Sequence, residues 1–374
     1  MSDVEKNIGT HKPEFDGEWV RLGDVCAKGK SNLRQKDLKN DGPYPVYGAP
    51  GIVGFSSNYQ NADAYVAVVK DGAGVGRVIA CEPRSSVLGT MQALLPGKGI
   101  DRDYLLHLVR SMDLGKGFTG STIPHIYFKD YGKTLVRALS REQQVEVANR
   151  LSGIDHLISQ GKGQLSFLDD LVKSQFVEMF GDGEWTSKTI GELATDIRYG
   201  TSKKATECGK YTYLRMNNLT DDGKLAYDDV KYIDLSGDEL EKCQVVDGDL
   251  LFNRTNSREK VGKTAVFHGD TSMVIAGYII RVRLGEEMRS DYLSVFMNLS
   301  TTKAMLRSIA KGAVHQANIN SKELAAIKVP VAPIELQDRF LDFVARVDKL
   351  GFDVQQQIEK LETLKQSLMQ EYFG

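Results

Sequence analysis

The strongest hydrophobic periodicity in the chain lies in two stretches, 142–181 and 335–374. In the first, Val147, Leu151, Ile154, Ile158, Leu165, Leu168, Val172 and Met179 fall on alternating steps of three and four, with Gly161 and Gln175 as weaker members. In the second, Phe340, Val344, Val347, Val354, Ile358, Leu361, Leu368 and Tyr372 keep the same register. Such spacing makes an a/d seam, and a seam needs a partner helix. A helix of this length extends about 60 Å at 1.5 Å per residue, more than one small domain hides. The pattern predicts two long helices, each preceded by a domain, whose seams pair antiparallel as a spacer. Glycine weakens a helix by about 1 kcal/mol relative to alanine, so Gly161-Lys162-Gly163 marks the place where the first helix is expected to kink or break.

Upstream of each helix the pattern changes to short apolar runs. Tyr65-Val66-Ala67-Val68-Val69 and Val274-Ile275-Ala276-Gly277-Tyr278-Ile279-Ile280 are rich in β-branched residues. Tight-turn pairs such as Asp71-Gly72, Asp222-Gly223 and Asp247-Gly248 punctuate these regions. This is the texture of irregular β-rich domains, with short helices predicted near Tyr104–Arg110 and Tyr292–Ala310.

The two halves are copies. Glu142–Gly181 overlays Glu335–Gly374 at a constant offset of 193 and agrees at 11 of 40 positions, both ending in Phe-Gly. Glu18-Trp19 and Glu184-Trp185 open the copies at an offset of 166, followed by Leu22-Gly23-Asp24-Val25 and Ile190-Gly191-Glu192-Leu193. The interior of the second copy is therefore 27 residues longer, with Val75-Gly76-Arg77 and Val261-Gly262-Lys263 as a sparse middle match. A repeat of this size means duplicated architecture. The expected fold is α+β with an internal pseudo-twofold repeat: a polar N-terminal tail (1–17), a first β-rich domain (18–139), a central helix (140–181), a second β-rich domain (182–331) and a C-terminal helix (332–374).

Composition adds constraints. With 41% hydrophobic and 26% charged residues, the 374-residue chain has the balance of globular domains with real cores. No apolar run reaches the roughly 20 residues of a membrane span, and Met1 to Gly17 lacks a signal-peptide core, so a cytoplasmic location is expected. Cys26, Cys81, Cys208 and Cys243 form no CxxC pair and are expected to be free thiols. The net charge is −2, yet residues 18–139 carry 16 Lys and Arg against 11 Asp and Glu. A chain gripping DNA alone usually has a larger basic excess, so a DNA ligand implies partners that share the phosphate contacts.

Catalytic motifs are missing. Val261-Gly262-Lys263-Thr264 resembles the end of a phosphate-binding loop, but Ser257 stands where that pattern needs its first glycine. Gly72-Ala73-Gly74-Val75-Gly76 reads as a turn, and the six histidines form no metal-ligand or nucleophile signature. What the domains do carry is loop material suited to phosphates and base edges: Tyr199, Ser202 and Lys203 within Arg198–Lys204, Arg215 beside Asn217, and Arg254 beside Asn256. Arginine reads guanine and asparagine reads adenine through paired hydrogen bonds.

The order of variable domain, lead-in and long helix, given twice, resembles the specificity subunits of Type I restriction-modification systems over nearly the whole chain. The supporting phrases are Gly120-Ser121-Thr122-Ile123-Pro124-His125-Ile126, Gly248-Asp249-Leu250-Leu251-Phe252-Asn253-Arg254, the lead-in Val329-Pro330-Val331-Ala332-Pro333-Ile334-Glu335-Leu336-Gln337, and both Phe-Gly endings. The first lead-in, Leu135 to Gln144, lacks those prolines. The resemblance implies two target recognition domains that each read half of an asymmetric, interrupted double-stranded DNA sequence. It implies assembly with two modification (methyltransferase) subunits and with restriction-translocation subunits. The chain itself would be non-catalytic, with S-adenosylmethionine, ATP and Mg on the partners and no cofactor or metal of its own. Candidate DNA contacts are Lys70, Arg77, Thr119, Ser121, Thr122 and His125 in the first domain. In the second they are Tyr199, Ser202, Lys203, Arg215, Asn217, Arg254, Asn256 and His315. Rival readings are a helical scaffold joining two domains for ligands other than nucleic acid, and a recognition-catalysis fusion with an unrecognised active site.

Overall fold

The computed structural model describes residues 17–117, 124–269, 273–313 and 316–374. Its two compact units are residues through Lys162 together with Gln356–Gly374, and Gly163–Gln355.

In the first unit the strand Glu18–Arg21 pairs antiparallel with Leu135–Ala138, the strand just before the first long helix. The one-turn helix Leu22–Val25 then leads into a four-stranded sheet ordered Cys26–Lys28, Met91–Pro96, Tyr65–Val69, Val78–Cys81. Tyr65–Val69 is buried at every residue, which explains its unbroken apolar run. A three-stranded sheet (Gly51–Ser56, Tyr44–Gly48, Ser86–Val87) lies beside it in sequence, and Asp101 caps the helix Arg102–Ser111 by accepting from the amides of Asp103 and Tyr104 at 2.9 and 3.0 Å.

The second unit repeats this plan. Thr186–Thr189 pairs antiparallel with Lys328–Val331, Ile190–Leu193 is the one-turn helix, and the sheet order is Ala194–Tyr199, Ile279–Leu284, Leu250–Asn253, Thr264–Val266. The sparse middle match marks a shared loop closure. Gly76 and Gly262 both sit at φ +84°, and their amides bond to the carbonyls of Val69 (2.8 Å) and Asn253 (2.9 Å). Only glycine adopts that backbone without strain.

Equivalent hydrogen bonds also locate the extra residues. The offset is 168 at the one-turn helices, 184 at Val69 and Asn253, 186 at Gly76 and Gly262, and 193 at Ile126 and Ile319. Most of the growth thus lies between the one-turn helix and the central strand. The step from 166 to 168 corrects the tryptophan alignment. Trp19 lies within its strand under the Arg137 guanidinium, 5.2 Å from the ring, whereas Trp185 precedes its strand and donates from Nε1 to the Phe180 carbonyl at 2.9 Å.

The long helices run Arg141–Phe180 and Ile334–Phe373. The first is helical without interruption across Gly161, so the expected break does not fall there, and Gly161 is buried. A helix cost of about 1 kcal/mol per glycine is small beside the burial of the seam on either side. Within the first unit the helical segments run antiparallel: Arg150 Nη1 donates to Tyr372 Oη at 3.2 Å, Lys365 pairs with Asp155 at 2.5 Å, and Lys162 with Glu362 at 3.2 Å. Within the second, the space beside Gly351 is bounded by Leu165 and Leu168, and Phe176 meets Phe340 with ring centroids 5.4 Å apart.

The repeated aromatic endings close the cores. Tyr372 is buried with Leu22, Tyr104, Val147 and Leu151, while Phe373 packs on Tyr104 at 5.7 Å. Phe176 and Phe180 are buried with Tyr292 and Phe340 at 4.9 to 5.6 Å. Offset and edge-to-face aromatic pairs of this kind add about 0.5–1.5 kcal/mol each beyond their buried area.

Where the first domain meets its helix, His107 is fully buried, its Nε2 3.1 Å from Ser152 Oγ. Burial, reinforced by Arg110, pushes its pKa down to about 4. The folded protein therefore holds His107 neutral while the unfolded chain protonates it near 6.5. Stability from this site is complete above about pH 6.5 and is lost as pH falls toward 4, by about 3 kcal/mol at the limit. Urea unfolding of the first unit at pH 7 and at pH 4.5 measures the loss, and His107→Gln should flatten it; an identical pH slope in that variant contradicts the assignment.

Candidate nucleic-acid interface

Three sheet strands bring the second-domain candidates together. Tyr199 ends Ala194–Tyr199, Arg254 follows Leu250–Asn253, and the turn Ala276-Gly277-Tyr278 precedes Ile279–Leu284. The Arg254 guanidinium stacks over the Tyr199 ring, 4.7 Å from its centroid, and Nη1 donates to the Gly277 carbonyl at 3.4 Å. Tyr199 Oη donates to Ser321 Oγ (2.9 Å) and accepts from the Ser321 amide (2.8 Å), which fixes the ring under the arginine. Such stacking contributes about 0.5–1 kcal/mol at exposed sites and holds a flat donor fork in a defined orientation. Arg254 Nε is buried without a hydrogen-bond partner among the described residues.

Ser202 and Lys203 lie just beyond, where the Gly277 amide donates to the Thr201 carbonyl at 2.7 Å. Ser202 is exposed, whereas Lys203 pairs with Glu239 at 2.5 Å and holds that carboxyl below its usual range. Arg215 and Asn217 form a second cluster on one carboxylate: Arg215 Nη2 and Asn217 Nδ2 both donate to Asp229 Oδ2, at 3.0 and 2.9 Å. Asn256 turns inward and donates to Asn253 Oδ1 at 3.0 Å. Glu239 and Asp229 hold candidate cations, yet nothing in their sequence surroundings singles them out. Surface pairs of this kind contribute little to stability, so a competing anion displaces them cheaply.

In the first domain Lys70 and His125 meet through the backbone. The Lys70 amide donates to Thr90 O, the Ile126 amide donates to Lys70 O, both at 3.0 Å, and His125 Nδ1 pairs with Asp71. The His125 ring packs edge-on against Tyr127 at 4.6 Å, and Lys129 reaches within 5.1 Å of that tyrosine. Arg77 points elsewhere and donates to the Ala49 carbonyl at 3.0 Å. Thr119, Ser121, Thr122 and His315 lie outside the described residues.

The local chemistry is hydrogen bonding, charge and stacking. Among the described residues no three His, Cys, Asp or Glu side chains are grouped to hold a metal. His268 has both ring nitrogens engaged, Nδ1 with Asp247 at 3.2 Å and Nε2 with Asp291 at 2.9 Å. Burial would lower its pKa, but the two carboxylates outweigh burial and raise it. All four cysteines are free, and burial pushes the thiols of Cys26 and Cys81 up to about 12. Among the described residues no helix is long and apolar enough to cross a membrane.

A second surface lies on the helices. Leu157, Gln164, Leu171 and Glu178 recur every seven residues, each one place before a seam residue, and Leu350, Gln357, Leu364 and Glu371 repeat them at the offset of 193. All eight are exposed, the leucines by 45 to 56%. Four of the 11 identities between the helices fall on this stripe. Of ten seam pairs, from Val147 and Phe340 to Met179 and Tyr372, only Leu168 and Leu361 match. In the first unit the pairs Asp155–Lys365 and Lys162–Glu362 bracket Leu157 and Leu364, which places these two leucines at about the same level of the antiparallel helices.

The profile of the Type I restriction modification DNA specificity domain matches residues 16–165 and again 182–363. The chain belongs to that family and contains its domain twice. It is 26% identical over 194 residues to a Methanocaldococcus jannaschii protein with the provisional name type I restriction enzyme MjaX specificity subunit, covering 51% of this chain and 45% of that one. It is 25% identical over 189 residues to the type I restriction enzyme EcoKI specificity subunit of Escherichia coli, covering 48% and 40%. The match thus spans under half the length of either relative. The fold is similar to the crystal structure of a Type-I restriction-modification system S subunit from M. genitalium, with a TM-score of 0.56, 15% identity, and coverage of 96% and 97%.

The strands that end at Tyr199, lead to Arg254 and follow Tyr278 share an ionic network. Arg281, 1% exposed, pairs with Asp196 at 2.5 Å and donates to the Gln244 carbonyl; Arg283 pairs with the buried Asp249 at 2.8 Å. Asp249→Ala removes the carboxylate that holds Arg283 while Arg281 keeps Asp196, and losing a hydrogen bond to a charged group typically costs about 1.5–3 kcal/mol. The urea midpoint of the second unit should fall accordingly; an unchanged midpoint contradicts this role for the network.

Proposed function

We propose that the chain is the sequence-reading subunit of a Type I restriction-modification complex. Each domain reads one half of an asymmetric, bipartite double-stranded DNA target, and the helices set the separation of the half-sites. The carrying observation is a shared sheet plan and loop closure that present different polar side chains in the two copies. One scaffold with two side-chain sets suits two different half-sites. Methyl transfer from S-adenosylmethionine and ATP- and Mg-dependent translocation and cleavage belong to partner subunits, in a cytoplasmic complex. That division suits a site made of donors, cations and rings.

The exposed helical stripe supports docking of two copies of one partner, the methyltransferase subunit. Core packing gives no reason to keep exposed leucines in both copies while the buried seam drifts, whereas two like docking surfaces do. Restriction-translocation subunits complete the assembly.

Methylated adenines mapped in cells with and without this chain should reveal one interrupted, asymmetric motif that depends on it; the same methylome in both overturns the reading. By native mass spectrometry, Leu157→Asp with Leu364→Asp should leave one methyltransferase copy bound instead of two. Adding Leu171→Asp with Leu350→Asp should leave none, whereas retention of both copies excludes the stripe as the docking surface.

A further inference from the structure

The backbone around Lys70 and Arg254 is the same in both domains. The amide of each donates to the carbonyl of a turn residue, Thr90 or Tyr278 (3.0 and 2.9 Å), and the carbonyl of each accepts from an isoleucine, Ile126 or Ile319 (3.0 and 2.9 Å). The next residue pairs across to the one before that isoleucine: Asp71 opposite His125, and Thr255 opposite Asn318. The turn glycines match too, Gly89 donating to Leu33 O and Gly277 to Thr201 O, both at 2.7 Å.

We propose that these four positions form a base-reading cradle, occupied by Lys70, Asp71, Thr90 and His125 in the first domain and by Arg254, Thr255, Tyr278 and Asn318 in the second. The assignment rests on the DNA-reading function proposed above and adds Asp71, Thr90, Thr255, Tyr278 and Asn318 as determinants of specificity. Where the framework serves itself the copies agree: the isoleucines and turn glycines are identical, and Ile126 and Ile319 are buried. Where side chains leave the framework they differ at all four positions, and none of the eight is fully buried. The shared backbone thus fixes where these side chains stand and leaves their chemistry free to differ between the two copies.

The chemistry differs accordingly. Arg254 and Asn318 are the residue types that bond the major-groove edges of guanine and adenine, with Tyr278, 52% exposed, beside them. Lys70 offers donors to guanine, and Asp71 an acceptor for the cytosine amino group. Each cradle also holds one pair in position, Asp71 with His125 and Thr255 Oγ1 with Asn318 Oδ1 at 2.8 Å. Held side chains read bases with less loss of conformational freedom.

The test uses the intact complex with its methyltransferase subunits and maps the methylated motif of each variant. Thr90→Tyr and Tyr278→Thr alter exposed side chains and leave the backbone bonds in place. Each should change the preference at one or two base positions of a single half-site by about tenfold or more, leaving the other half-site unchanged. Exchanging all four first-domain residues (Lys70→Arg, Asp71→Thr, Thr90→Tyr, His125→Asn) should alter that half-site alone. Unchanged motifs, or uniformly slower methylation with every base preference intact in the two single variants, overturn the cradle. Absence of any methylation by the wild-type complex instead overturns the DNA-reading function beneath it.

Discussion

The structure depends on aromatic helix ends buried in domain cores. The first long helix gives Val147 and Leu151 to one core and Phe176 and Phe180 to the other, while the second gives Phe340 to one and Tyr372 to the other. Neither core is complete with its own domain alone. An aromatic side chain buries 150–250 Å² and dominates the energetics of a core it enters, so the repeated Phe-Gly ending has a structural cause. It closes a core, and the chain has two cores to close.

With closure assigned to the helix ends, the remaining repetition separates framework from content. Sheet order, the Gly76 and Gly262 loop closures and the isoleucine bonds at Ile126 and Ile319 are backbone devices, and they recur. The side chains around Lys70 and Arg254 do not. On the helices the relation is reversed: the buried seam drifts because many apolar combinations fill it, while the exposed stripe from Leu157 to Glu178 recurs residue for residue. Both departures fall on accessible side chains, which is what the proposed reading of two different half-sites and the proposed docking of like partners require.

Much of this was legible in the sequence. Heptad spacing predicts both helices, since burial imposes its period directly on residue type, and Tyr65–Val69 announces a central strand in the same way. Gly161 misleads because local propensity ignores the seam on either side. The tryptophan alignment misleads because Trp19 and Trp185 share an identity while serving a strand and a helix end. The proposed reading positions are only partly visible in the sequence. Lys70, Arg254 and His125 stand out by type, but their relation to Thr90, Tyr278 and Asn318 passes through backbone hydrogen bonds between distant segments, which leave no trace in residue type. The carboxylates Asp229 and Glu239 are equally silent in sequence, because a surface Asp or Glu gains its meaning only from the cation beside it.

The most direct measurement is a cryo-electron microscopy structure of the complete complex on its own methylated target. The account predicts that Lys70 and His125 face the base edges of one half-site and that Arg254 and Tyr278 face those of the other, with one methyltransferase subunit on each leucine pair. Cradles turned away from the grooves, with base contacts made by other segments, would contradict it.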